Sequence, residues 1–303
     1  MHRRGFLSAL TVVSLAAAGV RPVPALAAGP LRVVASFSIL GDLVRQVGGR
    51  AVSVETLVGP DEDVHVYEPR PRDLRVLMAA GLLVRNGLGL EGWMERLTGA
   101  ADFRGKVVVA AASVTPRTMQ ADGGALTTDP HAWQDPRNAV LYVRAIAAGL
   151  ASADPANAAL YRDAAERYAG RITQEDASIA AAMAAIPADR RRIITTHDAF
   201  GYYGARYGVE FLSAEGISTE FEPSAKAIDT LVRQIKRERI HAVFIENMTS
   251  PRMAEMISRE TGAVLGGTVY SDALSPANGP AATYLDMLRY NTGLFAAAMK
   301  HNP

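Results

Sequence analysis

Residues 154–187 read DPANAALYRDAAERYAGRITQEDASIAAAMAAIP. Asp154 and Pro155 are typical of a helix start, because aspartate caps free backbone N–H groups and proline fits the first helical turn. Apolar residues then recur at helical spacing, at Leu160, Ala164, Tyr168, Ile172, Ile179 and Met183. A helix continuing to Ile186 would be roughly 45 to 50 Å long. Since one lobe does not need that length, we interpret it as a strut between two lobes; two shorter helices divided near Gly170 are the alternative.

Short runs rich in β-branched residues alternate with helical patterns on both sides of this segment, as is typical of parallel sheets. On the N-terminal side we predict strands at 31–37, 52–58, 82–86 and 107–111. On the C-terminal side we predict strands at 192–196, 209–212, 242–246 and 264–270. The predicted fold class is therefore α/β, with parallel-sheet lobes at 28–153 and 188–303 joined by a single long α-helix at 154–187.

Residues 1–27 have the pattern of a cleavable export signal. Arg3 and Arg4 precede an apolar stretch, and Ala-Leu-Ala at 25–27 offers a cleavage site. The apolar stretch is shorter than the roughly 20 residues that cross a bilayer. The paired arginines also resemble a twin-arginine signal, although the general export pathway would accept them equally well. We therefore expect a periplasmic protein.

Composition excludes several classes of partner and site. The 303 residues include 32 basic and 31 acidic side chains, and 49% are hydrophobic. This near-neutral, apolar composition predicts a globular protein that does not bind nucleic acid or an acidic membrane surface. The chain has no cysteine, so disulfides, thiolate metal sites and a lipid-bearing N-terminal cysteine are excluded. Any metal ion would be bound by nitrogen and oxygen atoms.

Three histidines and one aspartate follow predicted strands or lie in the loops between elements. They are His65, His131, His197 and Asp272. Ligands of parallel α/β sheets bind beyond the carboxyl ends of the strands, so residues there converge even when they are distant in sequence. Neutral imidazole is a good ligand for zinc, and carboxylate oxygen also suits manganese. The pattern predicts a divalent transition-metal site in the cleft between the lobes.

Four motifs occur in order along the chain: HVYEP at 65–69, DPHAWQDP at 129–136, THDAFGY at 196–202 and DALS at 272–275. With these motifs the chain resembles the metal-binding solute-binding proteins of ABC transporters (cluster A-I), which deliver zinc or manganese to an inner-membrane importer. The resemblance covers essentially the whole chain after the export signal. It implies two α/β lobes joined by one long helix, with the metal between them.

The resemblance also implies roles for individual residues. His65 and His131 would be metal ligands from the first lobe, and His197 and Asp272 would be ligands from the second. Glu246 matches a position near the family's site, where we expect it behind the ligands; a structural acid at a strand end is the alternative. The remaining histidines downstream of the signal, His241 and His301, are assigned to structure or solvent.

The cargo and partners follow from the same comparison. Three imidazoles favour zinc, with manganese as the alternative, although residues 116–128 lack the histidine-rich loop common in zinc-specific members. An exported zinc-dependent hydrolase is the rival from another class, but four protein ligands would close the shell against catalytic water. We therefore expect no enzyme activity. The expected partners are an inner-membrane ABC permease and, as a candidate metal donor, a periplasmic metallochaperone; we expect a monomer.

Overall fold

A computed structural model of the protein describes residues 29–120, 126–213, 215–220 and 223–303. The predicted export signal, residues 1–27, lies outside the described residues. None of the helices in the described ranges combines the length and the apolar character needed to cross a bilayer.

The first lobe is built on a four-stranded parallel sheet in the order β2-β1-β3-β4. Its strands are β1 (Leu31–Phe37), β2 (Val52–Val58), β3 (Leu82–Arg85) and β4 (Lys106–Val109), and its helices are α1 (Ser38–Gly48), α2 (Pro71–Met78), α3 (Met94–Ala100) and α4 (Pro136–Ala153). β1 is central and residues 33–37 are buried. Burial on both faces explains why the sequence of β1 is a nearly continuous apolar run rather than an alternating one.

A short antiparallel hairpin follows the first sheet and was not predicted from the sequence. It consists of β5 (Thr118–Gln120) and β6 (Leu126–Thr128), with Thr118 paired to Thr128. Strands of three residues are too short to give a clear alternating pattern. The hairpin leads directly into the segment that contains His131.

The long helix, α5, runs from Ala158 to Ala184 without a break at Gly170. Its 27 residues correspond to about 40 Å, somewhat shorter than predicted. Residues 155–157 form a 3-10 turn instead of α-helix. The Asp154 carboxylate accepts hydrogen bonds from two side chains, Asn157 Nδ2 and the Tyr161 hydroxyl, both at 2.7 Å. The buried face of α5 also begins one residue later than predicted, because Tyr161 is buried whereas Leu160 is 46% exposed.

The second lobe repeats the architecture, with a parallel sheet in the order β10-β9-β7-β8. Its strands are β7 (Arg192–Thr195), β8 (Glu210–Ser213), β9 (Ala242–Glu246) and β10 (Val264–Val269), and its helices are α6 (Gly201–Tyr207), α7 (Ala225–Glu238), α8 (Arg252–Thr261) and α9 (Tyr284–Met299). The prediction of two parallel-sheet α/β lobes is confirmed, and the eight predicted strands differ from those observed by at most two residues at either end.

Helix α5 packs against both lobes: it contacts α1 and α4 of the first and α6 and α9 of the second. One hydrophobic cluster accordingly extends from the first sheet, through Tyr168 and Ile172 of α5, to Phe295 of α9. A smaller cluster, which includes Ile194 and Ile235, lies in the second lobe between its sheet and α7 and α8. The lobes therefore share a core on the side of α5, and the loops at the carboxyl ends of the strands form the cleft.

Candidate metal centre

The structure brings His65, His131, His197 and Asp272 together. His65 lies in the loop after β2, His131 after β6, His197 two residues after β7 and Asp272 three residues after β10. One potential ligand atom from each residue lies within 4.8 Å of all the others. The side chains of His131, His197 and Asp272 are fully buried, and that of His65 is 4% exposed. The fold therefore places the four predicted residues in one enclosed cluster between the lobes.

Asp272 is at the centre of this cluster. Its Oδ2 atom lies 3.1 Å from His65 Nε2 and 3.1 Å from His197 Nε2, and its Oδ1 atom lies 3.6 Å from His131 Nε2. His65 Nε2 and His131 Nε2 are 3.3 Å apart. Nitrogen and oxygen ligands about 2.0 Å from one tetrahedral ion are separated by about 3.3 Å. The spacing of these atoms therefore fits a single small divalent cation.

Two further carboxylates hold the imidazoles from behind. Asp129 Oδ1 lies 2.9 Å from His131 Nδ1, and Glu246 Oε2 lies 2.6 Å from His197 Nδ1. Glu246 Oε1 also accepts the backbone N–H of His197 at 2.8 Å and the Thr196 hydroxyl at 2.7 Å. A carboxylate on Nδ1 fixes the ring orientation and leaves Nε2 free to bind a metal. Glu246 thus lies behind His197, at the carboxyl end of β9.

Asp129 is a further functional candidate. It lies in the DPHAWQDP motif, but no role was predicted for it from the sequence. The sequence feature that points to Asp129 is its position two residues before His131. In the structure, Asp129 Oδ1 also accepts the His131 backbone N–H at 3.0 Å. Arg117, in the segment leading into β5, donates to Asp129 Oδ2 at 2.9 Å. A Cβ atom at Gly201 would overlap the Arg117 guanidinium and lie 2.8 Å from Asp129 Oδ2. Glycine at this position therefore makes room for the ion pair that supports His131.

Electrostatics in the metal-free cluster favour charged forms. Burial lowers the pKa of His131, but the nearby Asp272 and Asp129 carboxylates outweigh it and raise the pKa to about 9. For His197, burial is likewise outweighed by Glu246 and Asp272, which raise its pKa well above the usual value. Burial raises the pKa of Asp272, yet the two imidazoles bring it well below the usual value. The carboxylates around the imidazoles thus favour positive charge within the cluster.

Aromatic and amide groups close the cluster and connect the lobes. Trp133 is fully buried beside His131, with the two ring centroids 5.3 Å apart. Trp133 Nε1 and Gln134 Nε2 both donate to the carbonyl oxygen of Ser271, at 2.9 and 2.8 Å. These bonds fix the residue next to Asp272 against the first lobe.

His241 and His301 lie outside the cluster. Their rings contact each other with centroids 4.8 Å apart, at the start of β9 and near the carboxyl terminus of the chain. The His241 backbone N–H donates to Asn302 Oδ1 at 2.8 Å. Neither histidine therefore contributes an atom to the cluster.

Known proteins resemble the chain over nearly its full length. Residues 33–298 match the family described as ZnuA, zinc-uptake complex component A periplasmic. The iron-binding protein YfeA of Yersinia pestis is 32% identical over 90% of this chain and 88% of its own length. The manganese-binding lipoprotein MntA of Halalkalibacterium halodurans is 31% identical over 89% of this chain and 88% of its own.

A solved structure also resembles the chain over nearly its full length. The periplasmic zinc-binding protein TroA of Treponema pallidum superposes with a TM-score of 0.84 at 28% identity, covering 89% of this chain and 99% of its own. The family consists of solute-binding proteins without enzyme activity, which confirms the expectation that the chain is not a hydrolase. The chain belongs to the ZnuA family of metal-binding solute-binding proteins, the components that serve the membrane permease and ATPase of an ABC transporter.

Proposed function

We propose that this protein binds one zinc ion through His65, His131, His197 and Asp272 and delivers it, in the periplasm, to an ABC importer. The observation that carries the proposal is the convergence of three imidazole Nε2 atoms on one buried carboxylate. A buried anionic carboxylate is stabilised by a cation, neutral imidazoles would offer that cation their Nε2 lone pairs, and the distances suit a single ion.

The donor set favours zinc over manganese. Zinc accepts a tetrahedral shell of nitrogen and oxygen ligands, whereas manganese is better suited to sites richer in carboxylate, carbonyl and water oxygen. Three of the four proposed ligands are imidazoles, and the side chains of His131, His197 and Asp272 are fully buried. Manganese is the second candidate, because relatives of similar identity are named as manganese-binding and Asp272 could bind through both oxygens.

Competition titration of the metal-free protein tests the choice of ion. Zinc and manganese are titrated against chelators of known affinity, and the metal content of protein isolated from the periplasm is measured by elemental analysis. We expect a zinc affinity at least about a hundredfold above that for manganese, following the order of stability of divalent ions on nitrogen-rich sites. Equal affinities, or manganese as the ion in periplasmic protein, would make manganese the cargo.

Alanine variants test the assignment of the ligands. His131→Ala and His197→Ala should each weaken zinc binding by orders of magnitude, because each removes one of four ligands. His241→Ala is the matched control and should leave zinc binding unchanged, since its ring lies against His301, outside the cluster. Equal effects of all three substitutions on zinc affinity would remove the assignment.

The cellular setting is part of the same proposal. We propose export to the periplasm with cleavage after Ala27, action as a monomer, and metal supply either from the periplasmic fluid or from a metallochaperone. Mass spectrometry of the exported protein tests the cleavage site. Light scattering at micromolar concentration tests the monomer.

A further inference from the structure

The loop of residues 59–69, here called the His65 loop, is held by both lobes. On the side of the first lobe, Trp93 Nε1 donates to the Val64 carbonyl oxygen at 2.9 Å. On the side of the second lobe, the Asp61 backbone N–H donates to the Leu274 carbonyl oxygen at 3.1 Å, and Asn247 Nδ2 donates to Asp61 Oδ1 at 2.8 Å. The loop that positions His65 is therefore fixed by contacts that cross the cleft.

Asp63 makes the most direct of these connections. Its Oδ1 atom accepts the backbone N–H of His65 at 2.8 Å, and its Oδ2 atom accepts the Thr219 hydroxyl at 2.6 Å. Thr219 belongs to the second lobe, 156 residues away in sequence. One carboxylate thus connects the backbone of a proposed ligand to the opposite side of the cleft.

His65 is also the residue that a departing ion would have to pass. It is the only member of the cluster with any exposed side-chain surface. It lines a groove open to solvent, together with Leu90, Pro130, Ser218 and Glu220. The other three proposed ligands are enclosed, so the ion can exchange with solvent most directly where His65 moves aside.

We propose that the hydrogen bond between Asp63 and Thr219 is a latch that positions His65 and sets the rate at which bound metal leaves. The inference rests on the proposed function, in which His65 is a ligand. Neither Asp63 nor Thr219 belongs to the metal cluster, so both are positioning residues. Breaking the latch removes the connection from the His65 backbone through Asp63 to Thr219, while Asp61 still holds the start of the loop to the second lobe and the three buried ligands stay in place.

The test measures release of metal from full-length mature protein. Wild type, Thr219→Val, Thr219→Ser and Thr230→Val are each loaded with zinc and, in parallel, with manganese, and release into excess chelator is followed by stopped flow. Valine keeps the shape of threonine but removes the hydroxyl. The resulting loss of one hydrogen bond to a charged group should speed release about tenfold or more. Thr219→Ser retains the hydroxyl and should release at the wild-type rate.

Thr230→Val is the matched control, since Thr230 lies on the exposed side of α7 and its hydroxyl bonds only within that helix. Asp63→Ala should accelerate release at least as much as Thr219→Val, because it removes both contacts. Adding Thr219→Val to Asp63→Ala should then have no further effect, as expected for two residues that act through one contact. Thermal unfolding of the metal-free variants checks that each is folded.

Three results would overturn the latch: release from Thr219→Val within about twofold of wild type, equal acceleration in Thr230→Val, or additive effects in the double variant. These outcomes are separate from failure of the proposed function. If wild type retains neither zinc nor manganese, or if His131→Ala retains metal as well as wild type does, the metal site itself is wrong and the latch falls with it.

Discussion

Glu246 Oε2 lies 2.6 Å from His197 Nδ1, with both side chains fully buried. Glu246 ends β9 and His197 follows β7, and these strands are neighbours in the second sheet. The pair therefore forms because the two strand ends lie side by side. It turns His197 so that Nε2 faces Asp272, the geometry required of a ligand whose other nitrogen is held by a carboxylate.

Replacing this carboxylate should weaken metal binding without removing a ligand. We expect Glu246→Gln to reduce metal affinity by about ten- to a hundredfold, because the amide supports the His197 ring less well than the carboxylate does. Glu260→Gln, on the exposed surface of α8, is the matched control. Competition with a chelator measures the metal affinity of both variants. Unchanged affinity in Glu246→Gln would show that His197 is positioned by other contacts.

The pH dependence of affinity follows from the charges in the metal-free cluster. His131, with a pKa raised to about 9, carries a proton at neutral pH, whereas only neutral imidazole binds metal. Each ion must therefore displace that proton at any pH below about 9. We expect apparent affinity to fall as the pH drops below about 9 and to continue falling through pH 7 to about pH 5, because His131 and His197 both hold their protons more tightly than ordinary imidazole.

Calorimetry in buffers of different ionisation enthalpy counts the protons released. Binding at pH 7 should release at least one proton per metal ion, since His131 and His197 both have raised pKa values. An affinity that does not change across pH 5 to 9, with no proton release, would contradict a site made of three histidines.

Gly170 in the middle of α5 should be replaceable with a gain in stability. Nothing lies within 4 Å of a Cβ atom at this position, and alanine in a helix interior is favoured over glycine by about 1 kcal/mol. Gly170→Ala should therefore raise the free energy of unfolding by about that amount in urea denaturation. Gly204→Ala is the opposing control, because its Cβ would lie 2.5 Å from the Val209 carbonyl oxygen, and it should destabilise the protein.

Metal removal should change the overall shape very little. Helix α5 packs against helices of both lobes, and the core is continuous across them, so a wide opening would break backbone hydrogen bonds and expose apolar surface. We expect the radius of gyration from X-ray scattering to stay nearly constant, with α5 protected from hydrogen exchange. Exchange should increase in residues 59–69 and in residues 116–131, of which 121–125 lie outside the described part. A large expansion on metal removal would show that α5 bends as a hinge.

The sequence alone was sufficient for features that depend on local periodicity. The strand at Leu31–Phe37 and the helix over Ala158–Ala184 follow from the spacing of apolar residues, because each element makes its own backbone hydrogen bonds. The ends of α5 were less accurate, because the spacing of apolar residues does not show that residues 155–157 form a 3-10 turn or that the helix stops at Ala184. The sequence also predicted that three histidines and Asp272 follow strands or lie in loops. That they form one cluster was inferred from the topology of parallel sheets and from the family resemblance.

The resemblance placed Glu246 near the site, but tertiary structure alone decided which imidazole it supports and which residues hold the His65 loop. Asp129 could be suspected from its place two residues before His131, but the pairing of Glu246 with His197 spans 49 residues and that of Asp63 with Thr219 spans 156. Such contacts depend on the strand order β10-β9-β7-β8 and on how the shared core sets one lobe against the other. The spacing of apolar residues predicts which face of an element is buried. Which residue lies beside a buried carboxylate is decided only when whole elements pack against one another.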